Sequence, residues 1–297
     1  MTAVECRSLT KEYASGTLAL DRVDLVVEPG QIFGLVGRNG AGKTTLMRSL
    51  IGLVRPTSGE VHVLGRPVRG TGSGRIGALI EAPSFHRHLS GRGNLLAFAR
   101  SFGVPTDEVD RVLELVGLSG RSGDRATRYS LGMKQRLGIA TALLGAPPLL
   151  ILDEPVNGLD PQAIAETRDL LRGLRNEGHT ILLSSHLLGE IDELCDRLVV
   201  LDSGRVVAEG TPGELKASAR RGAPVELTVD DVEAATAALA AMGRVEQASP
   251  NKVLVHLGDG DPSQLVKALV TAGVGVTSVA RRDSLEAAYL AMTSKEK

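Results

Sequence analysis

Apolar and polar positions alternate along this chain in two rhythms, and the change of rhythm divides it into zones. Residues 1 to about 80 carry short strand-like runs punctuated by glycine. Leu25-Val26-Val27 is one such run; Glu28-Pro29-Gly30 reads as a turn, and Ile32-Phe33-Gly34-Leu35-Val36 as a buried strand. From about 85 to 145 the spacing becomes helical. Asn94 to Arg100 and Val109 to Val116 repeat apolar residues three and four apart, as one helix face requires. Residues 146 to 210 return to short apolar runs, LLILD, TILLSSH and RLVVLDSG, separated by polar helical stretches. Strands alternating with helices predict an α/β fold around a mostly parallel sheet.

A boundary is expected near 211–224, where TPGELKASARRGAP is polar with Pro and Gly at both ends. Beyond it the runs VELTV, VEAATAALAAM, RVEQAS, KVLVHL, PSQLVKALVTAG, VGVTSVA and SLEAAYLAM alternate strand and helix. Their order, β-α-β-β-α-β and a closing helix, predicts a small α+β domain of ferredoxin-like arrangement. The expected division is therefore 1–215 and 216–297, with a helical subdomain at about 85–145 of the first part.

Composition narrows the function classes. Lys+Arg is 34 and Asp+Glu 35, so no basic surface for nucleic acid covers the molecule. Aromatics are 2 % and Trp is absent, which argues against base-stacking platforms. The uncharged run from Leu137 to Leu152 is shorter than the ~20 residues of a spanning helix. Gly145, Pro147 and Pro148 break it, so it reads as a helix end followed by a strand. The start, MTAVECRSLTKEY, has no apolar signal region, so a cytoplasmic protein is expected. Cys6 and Cys195 are isolated and form neither a disulfide framework nor a zinc ligand set.

Two motifs carry chemistry. Gly37-Arg38-Asn39-Gly40-Ala41-Gly42-Lys43-Thr44 fits the phosphate-loop pattern in full and follows a buried strand. Its glycines let backbone N–H groups wrap a phosphate chain, and the following helix aims its positive end at the same place. Lys43 is expected on the β- and γ-phosphates and the Thr44 hydroxyl on Mg²⁺, with Thr45 beside it in the nucleotide site. The second motif, Pro148 to Pro155, ends an apolar strand in two carboxylates. Asp153 is placed to hold Mg²⁺, directly or through water, and Glu154 to polarise an attacking water.

With these motifs on the page, residues 3 to about 215 resemble the ATP-binding subunit of an ABC transporter, a P-loop NTPase fold. Tyr129-Ser130-Leu131-Gly132-Met133-Lys134-Gln135-Arg136 resembles the family's signature, Asn157-Gly158-Leu159-Asp160 the loop after the acidic motif, and Ser184-Ser185-His186 the strand end carrying the switch histidine. Tyr13 stands where the family places the aromatic that stacks on adenine. The resemblance implies a homodimer that sandwiches two ATP molecules. Each lies between the phosphate loop of one chain and Ser130 and Gly132 of the other. His186 would contact the γ-phosphate and Asp160 would join the halves. It also implies integral-membrane permease partners, and hence a place on the inner face of the membrane.

The departures are informative. The usual L-S-G-G-Q reads Y-S-L-G-M, with Leu131 and Met133 in place of Gly and Gln. In Ile76-Gly77-Ala78-Leu79-Ile80-Glu81 the sixth residue is usually the Gln that links the ATP site to the permease. Glu81 can still ligate Mg²⁺, but an ionised carboxylate donates no hydrogen bond. This variant resembles bacitracin-resistance and lantibiotic-immunity exporters. Residues 83–90 are expected to face the permease's coupling helix; Arg125 and Arg128 could serve that face or be solvated. His86 and His88 lack further ligands and are not expected to hold metal.

The expected function is thus an ATPase powering a membrane exporter of a peptide antibiotic or other drug. The alternatives are a soluble ABC ATPase of translation or repair and a small-molecule P-loop kinase. One ATPase module, no heptads and no basic tail disfavour the soluble ATPase. The kinase leaves the signature, Asp160 and His186 unexplained.

Overall fold

The computed structural model describes residues 2–70, 75–81, 84–220, 224–257, 261–281 and 285–293. The chain divides into two compact units, Met1–Thr211 and Pro212–Lys297.

The first unit contains two sheets. Strands β1 (Val4–Glu12), β2 (Leu18–Val27), β4 (Ser58–Val63) and β5 (Arg66–Pro67) form an antiparallel sheet in the order β2-β1-β4-β5. The second sheet holds β3 (Ile32–Val36), β6 (Ile76–Leu79), β7 (Leu149–Leu152), β8 (Thr180–Ser185), β9 (Arg197–Asp202) and β10 (Arg205–Gly210). Its order is β10-β9-β3-β8-β7-β6, parallel throughout except for β10 against β9. Every residue of β3, β7 and β8 is buried. That is why these segments run apolar without alternation: a parallel strand covered on both faces has no polar side. Phe33, Leu35, Leu46, Met47, Leu149 and Leu182 join a single core that also takes in Leu9, Leu20 and Leu25 of the antiparallel sheet.

Among the described residues this unit has the helices α1 (Lys43–Leu50), α2 (Gly91–Phe102), α3 (Glu108–Leu115), α4 (Leu131–Leu143), α5 (Pro161–Asn176) and α6 (Leu188–Leu194). Helices α2 to α4, with 3-10 turns at Ser119–Arg121 and Ala126–Arg128, occupy the zone of helical spacing. Ser90, Ser130 and Asp160 cap α2, α4 and α5 by accepting from Gly93, Met133 and Ala163 backbone N–H groups. Pro161 sits at the first turn of α5, where a missing N–H costs nothing. The uncharged run from Leu137 divides as its Gly and Pro residues imply, into the end of α4 and strand β7.

The second unit consists of α7 (Pro212–Arg220), β11 (Val225–Val229), α8 (Val232–Leu239), β12 (Arg244–Ser249), β13 (Lys252–His256), α9 (Pro262–Thr271), β14 (Val276–Arg281) and α10 (Leu285–Thr293). Its four strands pair antiparallel in the order β12-β13-β11-β14. The core is aliphatic, built from Val225, Leu227, Val229, Leu239, Val253, Val255, Leu265 and Leu269 among others. The polar segment expected to link the domains carries α7. Pro212 opens it, Glu214 favours its positive end, and Leu215 is buried. Among the described residues no helix is long and apolar enough to cross a membrane.

Candidate active site

Strand register assembles the site. β3 runs beside β8 with Ile32 opposite Ile181 and Val36 opposite Ser185. β8 runs beside β7 with Leu183 opposite Leu152, and β7 beside β6 with Leu152 opposite Leu79. The three parallel pairings are in step, so four strands end on one edge of the sheet. Gly37, His186, Asp153 and Glu81 all follow directly or within two residues, at the carboxyl ends where α/β sheets bind ligands.

The loop after β3 is a cradle that only glycine can line. A Cβ on Gly37 would lie 2.5 Å from the carbonyl oxygen of Leu201. One on Gly42 would lie 2.5 Å from that of Ala19, and its φ of +105° is closed to ordinary side chains. Arg38, Asn39 and Gly40 form the exposed crest, while Ala41 is buried and accepts from Gly204 N–H at 3.0 Å. The buried Lys43 ammonium donates to the Gly37 carbonyl at 2.6 Å and to that of Arg38 at 3.3 Å, so it is aimed into the cradle.

The acidic pair is held by β8. The Thr44 hydroxyl donates to one oxygen of Asp153 at 2.8 Å. The fully buried Ser184 hydroxyl donates to the other and accepts from Glu154 N–H at 2.9 Å. Glu154 stands at φ +50°, a conformation costly for a residue with a Cβ. Its Oε1 lies 3.7 Å from Lys43 Nζ and its Oε2 2.7 Å from His186 Nδ1. Lys43, Thr44, Asp153, Glu154 and His186 therefore converge. Among the described residues no three His, Cys, Asp or Glu side chains form a metal cage. The donors present are the hard oxygens of Thr44 and Asp153. Such a pair suits a small divalent cation that keeps its waters and takes phosphate oxygens. Tyr13 borders the cradle, its hydroxyl 3.3 Å from that of Thr45 and its ring 5.1 Å from Lys11 Nζ.

Known proteins resemble this chain. Residues 20–157 match the family model described as ABC transporter. The bacitracin transport ATP-binding protein BcrA of Bacillus licheniformis is 39 % identical over 296 residues, 96 % of this chain and 95 % of that one. The Nod factor export ATP-binding protein I of Cupriavidus metallidurans is 36 % identical over 304 residues, 100 % of this chain and 99 % of that one. A solved ATP-binding subunit of an ABC transporter, 32 % identical, superposes with a TM-score of 0.64 over 73 % of this chain and 93 % of that one. The chain belongs to the ABC transporter family, as an ATP-binding subunit.

In this ABC subunit the signature lies apart from the cradle. Ser130 caps α4, and a Cβ on Gly132 would lie 3.1 Å from that of Ala163 on α5. Asp160 caps α5 through Ala163 N–H at 2.8 Å, so Ser130, Gly132 and Asp160 mark two neighbouring helix starts. Among the described residues none of the three bonds to the cradle, Asp153 or Glu154. Leu131 is 53 % exposed and leans on Gly158, whose Cβ would lie 3.2 Å away at φ +73°. Tyr129, standing where Leu is usual in the signature, is buried and donates to the Arg121 carbonyl at 2.8 Å. Burial raises its pKa. Its hydroxyl fits only because residue 91 is glycine: a Cβ there would lie 2.1 Å from it.

Glu81 stands near the acidic edge because Asp153 N–H donates to the carbonyl of Leu79, two residues before it, at 2.7 Å. Its carboxylate goes elsewhere, to the Arg48 guanidinium on α1, and bonds to neither Thr44 nor Asp153. Of residues 83–90, Pro83 lies outside those described. His86 is fixed by the fully buried Asn94, which accepts from its N–H at 2.7 Å and donates to its carbonyl at 3.2 Å. The His86 and His88 rings lie 5.8 Å apart, and among the described residues they belong to no group of three or more His, Cys, Asp or Glu side chains that could hold a metal. Sequence reasoning passed over Ser184, Arg48 and Asn94. Ser184 carried a signal, a hydroxyl at the end of a strand whose middle, Ile181-Leu182-Leu183, is aliphatic. Arg48 and Asn94 carried none, because their partners are set by tertiary structure.

Proposed function

We propose that this ABC subunit hydrolyses Mg-ATP as a homodimer on the inner face of the cell membrane, driving a permease that exports a peptide antibiotic or other drug. The observation that carries the reading is the meeting of Glu154 with Lys43 and His186 at the ends of three adjacent strands. Lys43 and the Gly37–Thr44 backbone hold the phosphates, with Thr45 beside them and Tyr13 against the base. Glu154 orients the attacking water; His186 holds that carboxylate from the side opposite Lys43. Thr44 and Asp153 hold Mg²⁺, which when bound neutralises charge developing on the phosphates. Among the described residues Ser130, Gly132 and Asp160 make no hydrogen bond to their own chain's cradle, an arrangement in keeping with a partner copy supplying them. Hydrolysis here rests on positioning and charge, with no covalent intermediate.

The permease reading is supported by a groove of about 340 Å³ lined by Phe85, Arg87, Ala126, Thr127 and Lys134. It borders the segment that Asn94 pins, and a cationic, half-apolar groove suits a short amphipathic helix. The cargo reading is supported by BcrA and by the lantibiotic transport ATP-binding protein SrtF of Streptococcus pyogenes, 39 % identical over 69 % of this chain and 90 % of that one. Full-length likeness to the Nod factor export protein favours a second reading, in which the cargo is another amphipathic molecule. The ATPase domain is assigned to about residues 1–215. Residues 216–297 form a ferredoxin-like accessory domain, supported by strand order and by the absence of buried polar side chains among its described residues. No nucleic-acid partner is proposed.

The test is turnover of Mg-ATP by the wild type and Glu154→Gln with the permease in lipid. Glu154→Gln is expected to lose at least ~100-fold in kcat and to remain an ATP-bound dimer. Unchanged turnover with a monomer in ATP overturns the assignment.

A further inference from the structure

Glu81 and Arg48 form a pair that the catalytic reading does not use. Among the described residues each is the other's only charged partner. Arg48 lies on α1 four residues after Thr44, so the two side chains share a helix face about one turn, ~6 Å, apart. Glu81 stands two residues beyond β6, whose end is tied to Asp153 by the backbone. Its φ is +68°, a left-handed backbone conformation that few residues with a Cβ adopt. The carboxylate is thus delivered to the edge of the metal site and turned one helical turn away from it.

Chemistry makes this pairing specific to Glu. A carboxylate takes a charge-assisted bond from a guanidinium, and an amide takes a weaker neutral one. The same carboxylate oxygens are the donors a small divalent cation prefers. Arg48 and the cation therefore compete for one group. With Gln at this position the competition would be slight.

We infer that Arg48 is a positioning residue that parks Glu81 off the metal site and sets how strongly the nucleotide-loaded site takes its cation. This rests on the Mg-ATP reading above. Binding of the cation recruits Glu81 only after the pair opens. Removing Arg48 therefore leaves Glu81 free and tightens cation binding. The pair is exposed, so the effect is modest, about two- to fivefold.

The experiment is Mn²⁺ binding to the full chain saturated with ATP, read by electron paramagnetic resonance, for wild type, Arg48→Met, Glu81→Gln and the double variant. Glu154→Gln is the common background, so that ATP is not consumed. Arg48→Met is expected to tighten Mn²⁺ about two- to fivefold, and Arg48→Lys to fall between it and wild type. In the Glu81→Gln background the same change is expected to shift Mn²⁺ by less than ~1.5-fold, because the competing carboxylate is gone. Equal shifts in both backgrounds, or none in either, overturn the inference while leaving the Mg-ATP reading intact. If ATP does not increase Mn²⁺ binding by the common background, both readings fall. Melting curves of each variant exclude misfolding as the source of a shift.

Discussion

The two units of the chain differ in where they bury polar groups. Lys43, Ser49, Asn94, Gln135, Asp153, Thr167, Thr180, Ser184 and Ser185 are buried, and all lie before residue 212. The described part of the second unit buries only aliphatic side chains, Ala288 and Tyr289. Burying a polar group without a partner costs several kcal/mol on apolar transfer scales, so a fold tolerates it only where partners are arranged. In the first unit they are arranged around the strand ends that carry the chemistry. Lys43 finds two carbonyls, Asp153 two hydroxyls, and Ser184 both a donor and an acceptor. The described part of the second unit has a core made for packing and shows no comparable constellation.

Two variants sharpen this contrast. Leu227→Ala removes a fully buried side chain from the middle of the second unit's sheet. It is expected to cost about 2–5 kcal/mol of that unit's stability while ATP turnover stays within about twofold. Calorimetry and a phosphate-release assay on one sample check this; a collapse of turnover at a temperature where the chain stays folded would break the comparison. Ser184→Ala works the opposite way. It strips a donor from Asp153 and an acceptor from Glu154 N–H, for an expected loss of about 1–3 kcal/mol. Turnover should fall more than this modest destabilisation predicts, because both carboxylates lose their orientation. If kcat at a folded temperature is unchanged, Ser184 is only a packing residue.

The smallest effect concerns the thiols. Burial pushes the Cys6 thiol up to about 12, and that of Cys195 is raised further, again mainly by burial. Neither should be thiolate at neutral pH, so maleimide should label the native chain at less than ~10 % of the rate of the urea-unfolded chain. Equal labelling of both states would mean that this core opens far more readily than its packing implies.

Much of the molecule was legible because its signals are local. The phosphate loop lies within eight consecutive residues, and the acidic pair ends an uninterrupted apolar strand. The helical zone announced itself by its spacing. What escaped was long-range. Arg48 and Glu81 are 33 residues apart and nothing in either segment names the other. Tyr129 in the signature reads as a departure until Gly91 is seen to make room for it. Helix α7 was hidden by its composition: Pro212 and Glu214 mark a helix start, but the segment has few apolar residues to show a period. Glu81 was expected on the metal. Its alternative partner, Arg48, sits on the helix that sequence reasoning had given to the phosphates and, through Thr44, to the cation.

The in-step register of β3, β8 and β7 has a consequence for how the protein is made. The phosphate cradle is complete in the chain by Thr44, but the groups that close the site arrive at Asp153 and His186. β8 sits between β3 and β7 in the sheet. A nascent chain on the ribosome therefore holds its first strands without their central neighbour until more than half of the polypeptide has emerged. Such an open sheet exposes unpaired strand edges, the surfaces most prone to wrong pairing. Nucleotide, which favours only the closed arrangement, becomes a stabilising ligand once β8 has docked. Cellular ATP would then act on newly made subunits as a chemical chaperone that selects finished sheets.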